Sequence, residues 1–138
     1  MIVGIVGSEA AKFTSETHRK AVELIDNILS EPGVTEVVSG GCHLGGIDIW
    51  AEEAGYAKGL KVTVYKPVVL NWNEGYKPRN LKITNRSDVV HCITLKELPS
   101  GYNGIRFEGC YHCGTKDHVK SGGCWTMKKA KVGVLHVL

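Results

Sequence analysis

The sequence lacks long apolar runs and a strong excess of either charge. None of its apolar stretches approaches the roughly 20 residues that a membrane-spanning helix needs, so we expect no membrane partner. The net charge of +3 permits an anionic ligand, but it is too small to indicate nucleic-acid binding by itself. Residues 1–7 carry no basic segment and have the apolar character of a buried strand. We therefore expect no secretion signal and a cytoplasmic location.

The composition also lacks the bias of disordered or collagen-like proteins. Hydrophobic residues make up 43% of the chain and charged residues 22%, which is typical of a globular domain. The length of 138 residues predicts one domain over 1–138, large enough to bury a core. The five cysteines form an odd set and the candidate metal ligands cluster late in the chain, so a disulfide scaffold is not expected.

Apolar patterning predicts strands and helices in alternation. The predicted strands are 2–6, 35–39, 61–65, 88–93 and 132–138, and the predicted helices are 15–30, 46–58, a short one from Pro78, and 122–131. The buried face of helix 46–58 is expected to include Ala57, and residues 66–76 are expected to form a loop. Residues 94–121 have poor periodicity and are expected to be irregular. Apolar strands without alternation favour a parallel sheet covered on both faces. We therefore expect an α/β fold of the Rossmann-like, three-layer type, with a mainly parallel sheet of five strands.

A doubly wound sheet of this kind has its ligand site at the carboxyl ends of the strands, near the point where the strand order reverses. Gly7 and Ser8 follow the first strand there, Ser39 ends the second, and the residues after Ile93 follow the fourth. We expect these segments to converge at one site.

The phrase Ser-Gly-Gly-Cys occurs twice, at 39–42 and at 121–124, and each copy stands just before a predicted helix. Glycines let the backbone come close to a phosphate, and the first free N–H groups of a helix point at the anion. Candidate ligand-binding residues are therefore Ser39, Gly40, Gly41, Gly45 and Gly46 in the first turn, and Ser121, Gly122 and Gly123 in the second. The alternative is that glycine pairs only form tight loops between strands and helices.

The late cysteines predict a metal site. Cys110, Cys113, His118 and Cys124 follow the pattern C-x2-C-x4-H-x5-C, which provides four ligands for a closed tetrahedral structural zinc site. The site would order the zinc-knuckle-like insertion 94–121, where core-forming residues are few. His112 competes with His118 as the ligand, and the alternative is a set of reduced, partly buried cysteines. Cys124 would hold the metal through its thiolate while the backbone of Gly122 and Gly123 faces the ligand.

Several motifs occur in the order found in a known group. They are VSGGCHLGGID at 38–48, AEEA at 51–54, KVTVY at 61–65, NW at 71–72, PRN at 78–80 and SDVV at 87–90. This run resembles the SLOG superfamily of Rossmann-like nucleotide-binding proteins, and most closely its small YspA/YpsA-like branch. The resemblance covers residues 2–93 together with the last helix and strand. It implies a nucleotide or nucleotide-derived phosphate ligand that the protein senses or processes.

The second glycine turn gives a sharper comparison with the phosphoribohydrolases of that superfamily. Those enzymes carry Pro-Gly-Gly-x-Gly-Thr-x-x-Glu, with the Glu working at the ribose. Gly122, Gly123 and Thr126 match this motif, whereas Trp125 replaces its third Gly. Lys129, directly after Lys128, stands at the position of its Glu. Hydrolysis of an N-glycosidic bond that needs this carboxylate is therefore disfavoured, and whether the protein is an enzyme stays open.

Three further residues are candidates for the ligand site. Asp48 lies beside the glycines at the start of a helix and is a catalytic or ribose-binding candidate; its alternative role is to stabilise the helix dipole. Arg79 is the expected partner of a phosphate and Asn80 the expected contact for a base or ribose.

A second functional class remains open, which is single-stranded nucleic-acid binding by the knuckle-like segment. Tyr111 and Trp125 would stack on bases, and lysines from Lys116 to Lys131 would contact phosphates. A homodimer is expected only because relatives of this fold often pair through helices beside the site.

Overall fold

The computed structural model describes all residues, Met1–Leu138, and contains one sheet of five parallel strands. The strands are β1 Ile2–Gly7, β2 Glu36–Ser39, β3 Lys61–Val64, β4 Val89–Thr94 and β5 Gly133–Val137, in the order β3-β2-β1-β4-β5. The helices are α1 Ser15–Leu29, α2 Ile47–Ala57, α3 Lys77–Arg86 and α4 Gly122–Lys129. The predicted α/β, Rossmann-like fold is thus confirmed, including its strand and helix alternation.

Two apolar clusters hold the layers together on opposite faces of the sheet. Buried residues of α1 and α2, such as Ile25 and Ile47, pack on Ile5 and its neighbours in one cluster. Ile83 of α3 and Met127 of α4 pack on the other face in the second cluster. Each fully buried aliphatic side chain stabilises the fold by about 1.5–3 kcal/mol relative to its exposure to water.

Local sequence signals account for the helix boundaries. Thr14 caps α1: its hydroxyl oxygen accepts the N–H of Thr17 at 3.2 Å, and the Thr17 hydroxyl oxygen accepts the N–H of Thr14 at 2.8 Å. This reciprocal cap contributes about 1 kcal/mol. Helix α2 lies close to the sheet because Gly55 is a glycine, since a Cβ there would stand 2.5 Å from a methyl carbon of Val37.

Three details differ from the prediction. Ala57 was expected on the buried face of α2 but is exposed, and Gly55 takes the buried position instead. A π-helical turn, Trp72–Tyr76, precedes α3 within a segment expected to be a loop. Helix α4 ends at Lys129, two residues before the predicted end, because its backbone becomes extended at Ala130.

Residues 95–121 connect β4 to α4 and contain no helix or strand, as expected, apart from an isolated bridge between Cys110 and Thr115. No helix in the structure has the length and apolar character needed to cross a membrane.

The strand order places β1 at the centre of the sheet, between β2 and β4. The chain leaves β1 toward β2 and β3 and later returns to β4 and β5 on the other side. The order therefore reverses beside β1, and its carboxyl end, Gly7-Ser8, opens into the crevice that such a reversal leaves.

Candidate functional site

A pocket of about 830 Å³ lies at the carboxyl end of β1. It is bounded by the starts of α2 and α4, by α3 and by the insertion. Nine of the residues predicted to bind a ligand line it, namely Gly7, Ser8, Asp48, Arg79, Asn80, Ser121, Gly122, Gly123 and Thr126. The structure thus brings together residues that lie more than a hundred positions apart in the sequence.

The remaining five predicted residues belong to the first glycine turn and do not line this pocket. Gly41 and Gly45 line a smaller neighbouring pocket of about 370 Å³, which shares Arg79 with the larger one. The Ser39 hydroxyl donates to the Asp48 carbonyl oxygen at 2.9 Å, and a Cβ on Gly40 would stand 2.8 Å from Asp48 Oδ2. Gly46 packs against the backbone of Ser8. A Cβ on Gly46 would stand 2.4 Å from the Ser8 carbonyl oxygen, and its φ of 84° also favours glycine.

Several backbone N–H groups of the first turn already have partners within the protein. The N–H of Gly41 donates to the Ser39 hydroxyl oxygen at 3.2 Å, and the N–H of Ile47 donates to the Ser8 carbonyl oxygen at 3.2 Å. The N–H of Cys42 donates to Asp48 Oδ2 at 3.3 Å. An Asp carboxylate therefore takes up part of the hydrogen-bonding capacity that the sequence suggested for an anion.

Asp48 is the buried acid of the pocket. Its side chain sits at the second position of α2, and the residue is 7% exposed. Burial raises the pKa of Asp48 to about 6, while the Arg79 guanidinium and the Cys42 N–H act in the opposite direction. A carboxyl group with this pKa changes protonation near neutral pH, as binding and catalytic acids often do.

Arg79 is half-buried, and two of its three guanidinium nitrogens are hydrogen-bonded within the protein. Its Nε donates to Asn80 Oδ1 at 2.7 Å, and its Nη1 donates to the carbonyl oxygens of Gly40 and Tyr65. The guanidinium carbon also lies 5.4 Å from the centre of the Tyr76 ring. Nη2 makes no hydrogen bond within the protein, so Arg79 faces the pocket with one amino group rather than with its full fork.

The second glycine turn is built differently from the first. Ser121 caps α4, and its hydroxyl oxygen accepts the N–H of Gly123 at 3.2 Å. Gly123 packs against β1, since a Cβ there would stand 2.9 Å from the Gly7 nitrogen. A Cβ on Gly122 would meet no other atom within 4 Å, which leaves the start of α4 open to the pocket.

Two lysines that line the pocket lie near this helix start. Lys12 Nζ donates to the Lys120 carbonyl oxygen at 3.2 Å and forms no ion pair with a carboxylate. Burial, which removes part of the ammonium group from water, lowers the pKa of Lys12. Lys12 was not predicted from the sequence, although its position shortly after β1 is the signal that could have identified it.

Aromatic and apolar side chains form the rim of the pocket. They are Trp72, Tyr76, Tyr102, Ile105, Phe107 and Tyr111. Trp72 contacts Trp125 edge to face at 4.9 Å between ring centres, and the Tyr102 hydroxyl donates to Glu9 Oε1 at 3.1 Å. Most of this rim comes from the irregular insertion, for which the sequence carried no periodic signal.

The predicted metal ligands form one cluster beside the pocket. The ligand atoms of Cys110, Cys113, His118 and Cys124 all lie within 4.8 Å of one another, and this group could hold a metal ion. Cys124 Sγ lies 3.8 Å from His118 Nε2, close to the edge length of a tetrahedron around zinc. The cluster contains His118, as predicted, whereas His112 lines the pocket.

The backbone around Cys110 forms a tight turn closed by a bridge to Thr115. Cys110 N–H donates to the Thr115 carbonyl oxygen at 2.8 Å, and Gly114 takes a φ of 64° in the turn between them. Burial acts to raise the pKa of Cys110, but hydrogen bonds from the N–H groups of Ser121 and Cys113 to its sulfur lower the pKa overall. Three thiols and one imidazole are the donor set of a closed structural zinc site, so the residues fit that metal.

Cys113 and Cys124 ionise less readily than an ordinary thiol, in contrast to Cys110. Burial and then the neighbouring Cys124 raise the pKa of Cys113 to about 12. The pKa of Cys124 is also raised, first by its contact with Cys92, whose sulfur lies 3.8 Å away. A divalent cation would relieve this repulsion by replacing the protons.

The strand order and the parallel pairing are those of a Rossmann-like α/β fold. The function must be argued from the pocket and the metal cluster, because a fold of this type serves many activities. Comparisons of the chain with protein-family models, curated proteins and solved structures found no match.

Proposed function

We propose that the pocket binds a nucleotide or another nucleotide-derived phosphate ligand, as the resemblance to the SLOG superfamily implies. The observation that carries this proposal is that one pocket combines a cationic helix start with a rim of aromatic rings. A phosphate suits the first of these surfaces and a base suits the second.

The phosphate is assigned to the start of α4. The N–H groups of Gly123 and Cys124 already donate to Ser121, at 3.2 Å and 3.1 Å, so the Gly122 N–H and the positive end of the helix dipole are what favour an anion there. Lys12 and Lys120 add two ammonium groups to the same pocket, where Glu9 is the carboxylate that acts on Lys12 without forming an ion pair with it. The first glycine turn instead holds Asp48 and Arg79 in place.

The base is assigned to the rim. Trp72, Phe107 and Tyr111 are 42%, 44% and 62% exposed, although each has a large apolar surface. Aromatic rings left exposed around a pocket provide stacking surfaces, each worth about 1–3 kcal/mol when a base covers it.

Binding rather than N-glycosidic hydrolysis is the better-supported activity. The position of the phosphoribohydrolase glutamate is Lys129, whose Nζ lies 5.4 Å from the Trp125 ring centre. The neighbouring Lys128 Nζ donates to the His112 carbonyl oxygen at 2.6 Å, so neither residue offers a carboxylate. The carboxylates that line the pocket are Glu9, bound to Tyr102, and Asp48. An acid at the place that the family's reaction requires is therefore missing.

We also propose that the Cys110, Cys113, His118 and Cys124 cluster holds a structural zinc ion. The ion would fasten the insertion to the third residue of α4, so that Ser121 and the rim keep their positions. All four ligand positions would be filled by protein, which suits a structural rather than a catalytic site.

Calorimetric titration with ribonucleoside monophosphates tests the nucleotide proposal. Gly122→Val would place a side chain in the open space at the start of α4, and we expect affinity to fall at least tenfold. Gly101→Val is the matched control, because Gly101 also has open space around it but does not line the pocket. Equal affinities of the two variants would contradict the assigned phosphate position.

A second candidate function is single-stranded nucleic-acid binding, which the pairing of lysines with exposed rings favours. Lys120 Nζ lies 5.4 Å from the Phe107 ring centre and 5.7 Å from that of Tyr111, and Lys129 Nζ lies 5.4 Å from that of Trp125. Binding that spans several phosphates would weaken steeply with salt. Oligonucleotide affinity that is weak and nearly independent of salt would contradict single-stranded nucleic-acid binding, and mononucleotide binding would remain as the proposed function.

A further inference from the structure

Three polar side chains in the pocket are almost completely buried, yet each has a polar atom without a hydrogen-bond partner in the protein. Asp48 and Asn80 are 7% exposed, and Thr126 is 1% exposed. Asp48 accepts the Cys42 N–H through Oδ2, and Asn80 accepts from Arg79 through Oδ1. Asp48 Oδ1, Asn80 Nδ2 and Thr126 Oγ1 are left free.

These three atoms face the pocket. No side-chain nitrogen or oxygen of the protein is both sealed from solvent and without a partner, so a free atom on a buried residue must reach open space. Each of the three residues lines the large pocket. Buried polar groups are nearly always hydrogen-bonded in folded proteins, so such a group aimed into a pocket points to a polar ligand group.

The three residues converge from different helices on one side of the pocket. Thr126 lies one helical turn after Gly122, so the two share a face of α4. Asn80 is bonded to Arg79, and Arg79 Nη1 and Asp48 Oδ2 lie on the same side of Gly40. The polar group they contact is therefore next to the assigned phosphate position.

The chemistry of the three atoms suits hydroxyl groups. A carboxylate oxygen accepts a hydroxyl proton, an amide NH₂ donates to a hydroxyl oxygen, and a threonine hydroxyl does either. A phosphate is disfavoured there, since an ionised Asp48 would repel it. With the phosphate at α4 and the base at the rim, the ribose is the part of a nucleotide that remains.

We propose that Asp48, Asn80 and Thr126 bind the ribose hydroxyls and that the pocket thereby selects ribonucleotides over deoxyribonucleotides. This inference rests on the proposed nucleotide binding and adds the class of sugar. A site built to bond a hydroxyl group rejects the analogue that lacks it, because its own buried polar atoms are then left unpaired. We expect at least a tenfold preference for the ribonucleotide.

The experiment compares four ribonucleoside monophosphates with the matching deoxyribonucleoside monophosphates by calorimetric titration. It uses the wild-type protein, Asp48→Asn and Thr126→Val. Both substitutions keep the size of the side chain and remove either the carboxylate charge or the hydroxyl group. We expect each variant to lose most of the preference by weakening ribonucleotide binding, while deoxyribonucleotide affinity changes less than threefold. Glu53→Gln, an exposed position on α2 outside the pocket, is the control and should keep the preference.

Each outcome is informative. Binding of both sugars with equal affinity to the wild-type protein would overturn this inference and leave the nucleotide proposal standing. A preference that both variants retain would overturn the assignment to these residues. A preference for one base without a preference between sugars would mean that the three side chains contact the base, which also overturns it. No binding of any monophosphate would overturn the proposed function together with the inference.

Discussion

Gly40 keeps two charged side chains in position without touching a ligand itself. A Cβ at this residue would stand 2.6 Å from Arg79 Nη1 and 2.8 Å from Asp48 Oδ2. Both of those atoms end flexible side chains, so a larger residue would displace them at little cost to the fold. Gly40 therefore controls the charge arrangement of the pocket.

Gly40→Val should abolish or severely weaken nucleotide binding, by at least tenfold, because it displaces Arg79 and Asp48 together. Calorimetric titration measures the loss, and metal analysis of the same sample should show unchanged metal content, since Gly40 is not part of the metal cluster. Retained affinity would contradict the assignment of these residues to the ligand site.

Asp48 should make the stability of the protein fall as pH rises. Its pKa is raised from 3.8 to about 6 by burial, so between these values the folded state binds more protons than the unfolded state. The Asp48 contribution is fully present below about pH 4 and is lost as pH rises through about 6, by about 3 kcal/mol.

Urea unfolding of the wild-type protein and Asp48→Asn at several pH values measures this contribution. The free energy of unfolding of wild type minus that of the variant should decrease from about pH 4 to about pH 7 and then stay level. Loss of the proposed metal at low pH would affect both proteins and cancel in the difference. A difference that does not change with pH would contradict the raised pKa.

At the scale of elements, the insertion between β4 and α4 supplies much of the pocket wall. Arg106 Nη2 donates to the carbonyl oxygens of Pro99, Ser100 and Tyr102, and these bonds hold residues 99–106 of the insertion together. A metal ion bound by Cys110, Cys113, His118 and Cys124 would fasten the other part to α4. Metal binding and ligand binding are therefore expected to stabilise each other.

Cys113→Ser should lower metal content and weaken nucleotide binding at least tenfold, because the rim loses its attachment to α4. The far-ultraviolet circular dichroism should stay close to that of the wild-type protein, since the sheet and α1 to α3 lie outside the cluster. Cys42→Ser is the control for metal content, as Cys42 does not belong to the cluster. Full metal content and affinity in Cys113→Ser would contradict this coupling.

The sequence predicted the elements with regular patterns and missed those without one. Thr14 and the apolar stripe of α1 specify that helix locally, and the predicted and observed strands agree within one residue at each end. The π-helical turn at Trp72–Tyr76 depends on Asn71, whose Oδ1 accepts the N–H of Glu74 at 2.8 Å. A single capping residue of this kind gives no periodic signal.

The parts of the candidate site that contain a sequence motif could be predicted from the sequence. The cysteine spacing predicted the four residues whose ligand atoms lie together and could hold a metal ion. The second glycine turn predicted the start of α4 as part of the pocket. Tyr111 was predicted as a stacking residue, but the contribution of Lys12 and of the other rim residues depends on tertiary contacts across the chain, such as that between Tyr102 and Glu9. These contacts leave no local trace in the sequence.

At the scale of the whole molecule, the reversal of strand order beside β1 determines where the parts meet. Gly7 follows the central strand, and Gly123 packs on it from α4. The pocket therefore joins the half of the fold that ends with β3 to the half that begins with β4. The expected homodimer stays a prediction.

The most direct test of nucleotide binding is a native mass spectrum of the freshly purified protein. It is recorded alone and with a mixture of ribonucleoside monophosphates, and again after denaturation. We predict one zinc-sized mass and one nucleotide-sized mass on the folded protein, both lost on denaturation. A spectrum with the zinc-sized mass and no nucleotide adduct, even with the mixture present, would contradict the proposed function.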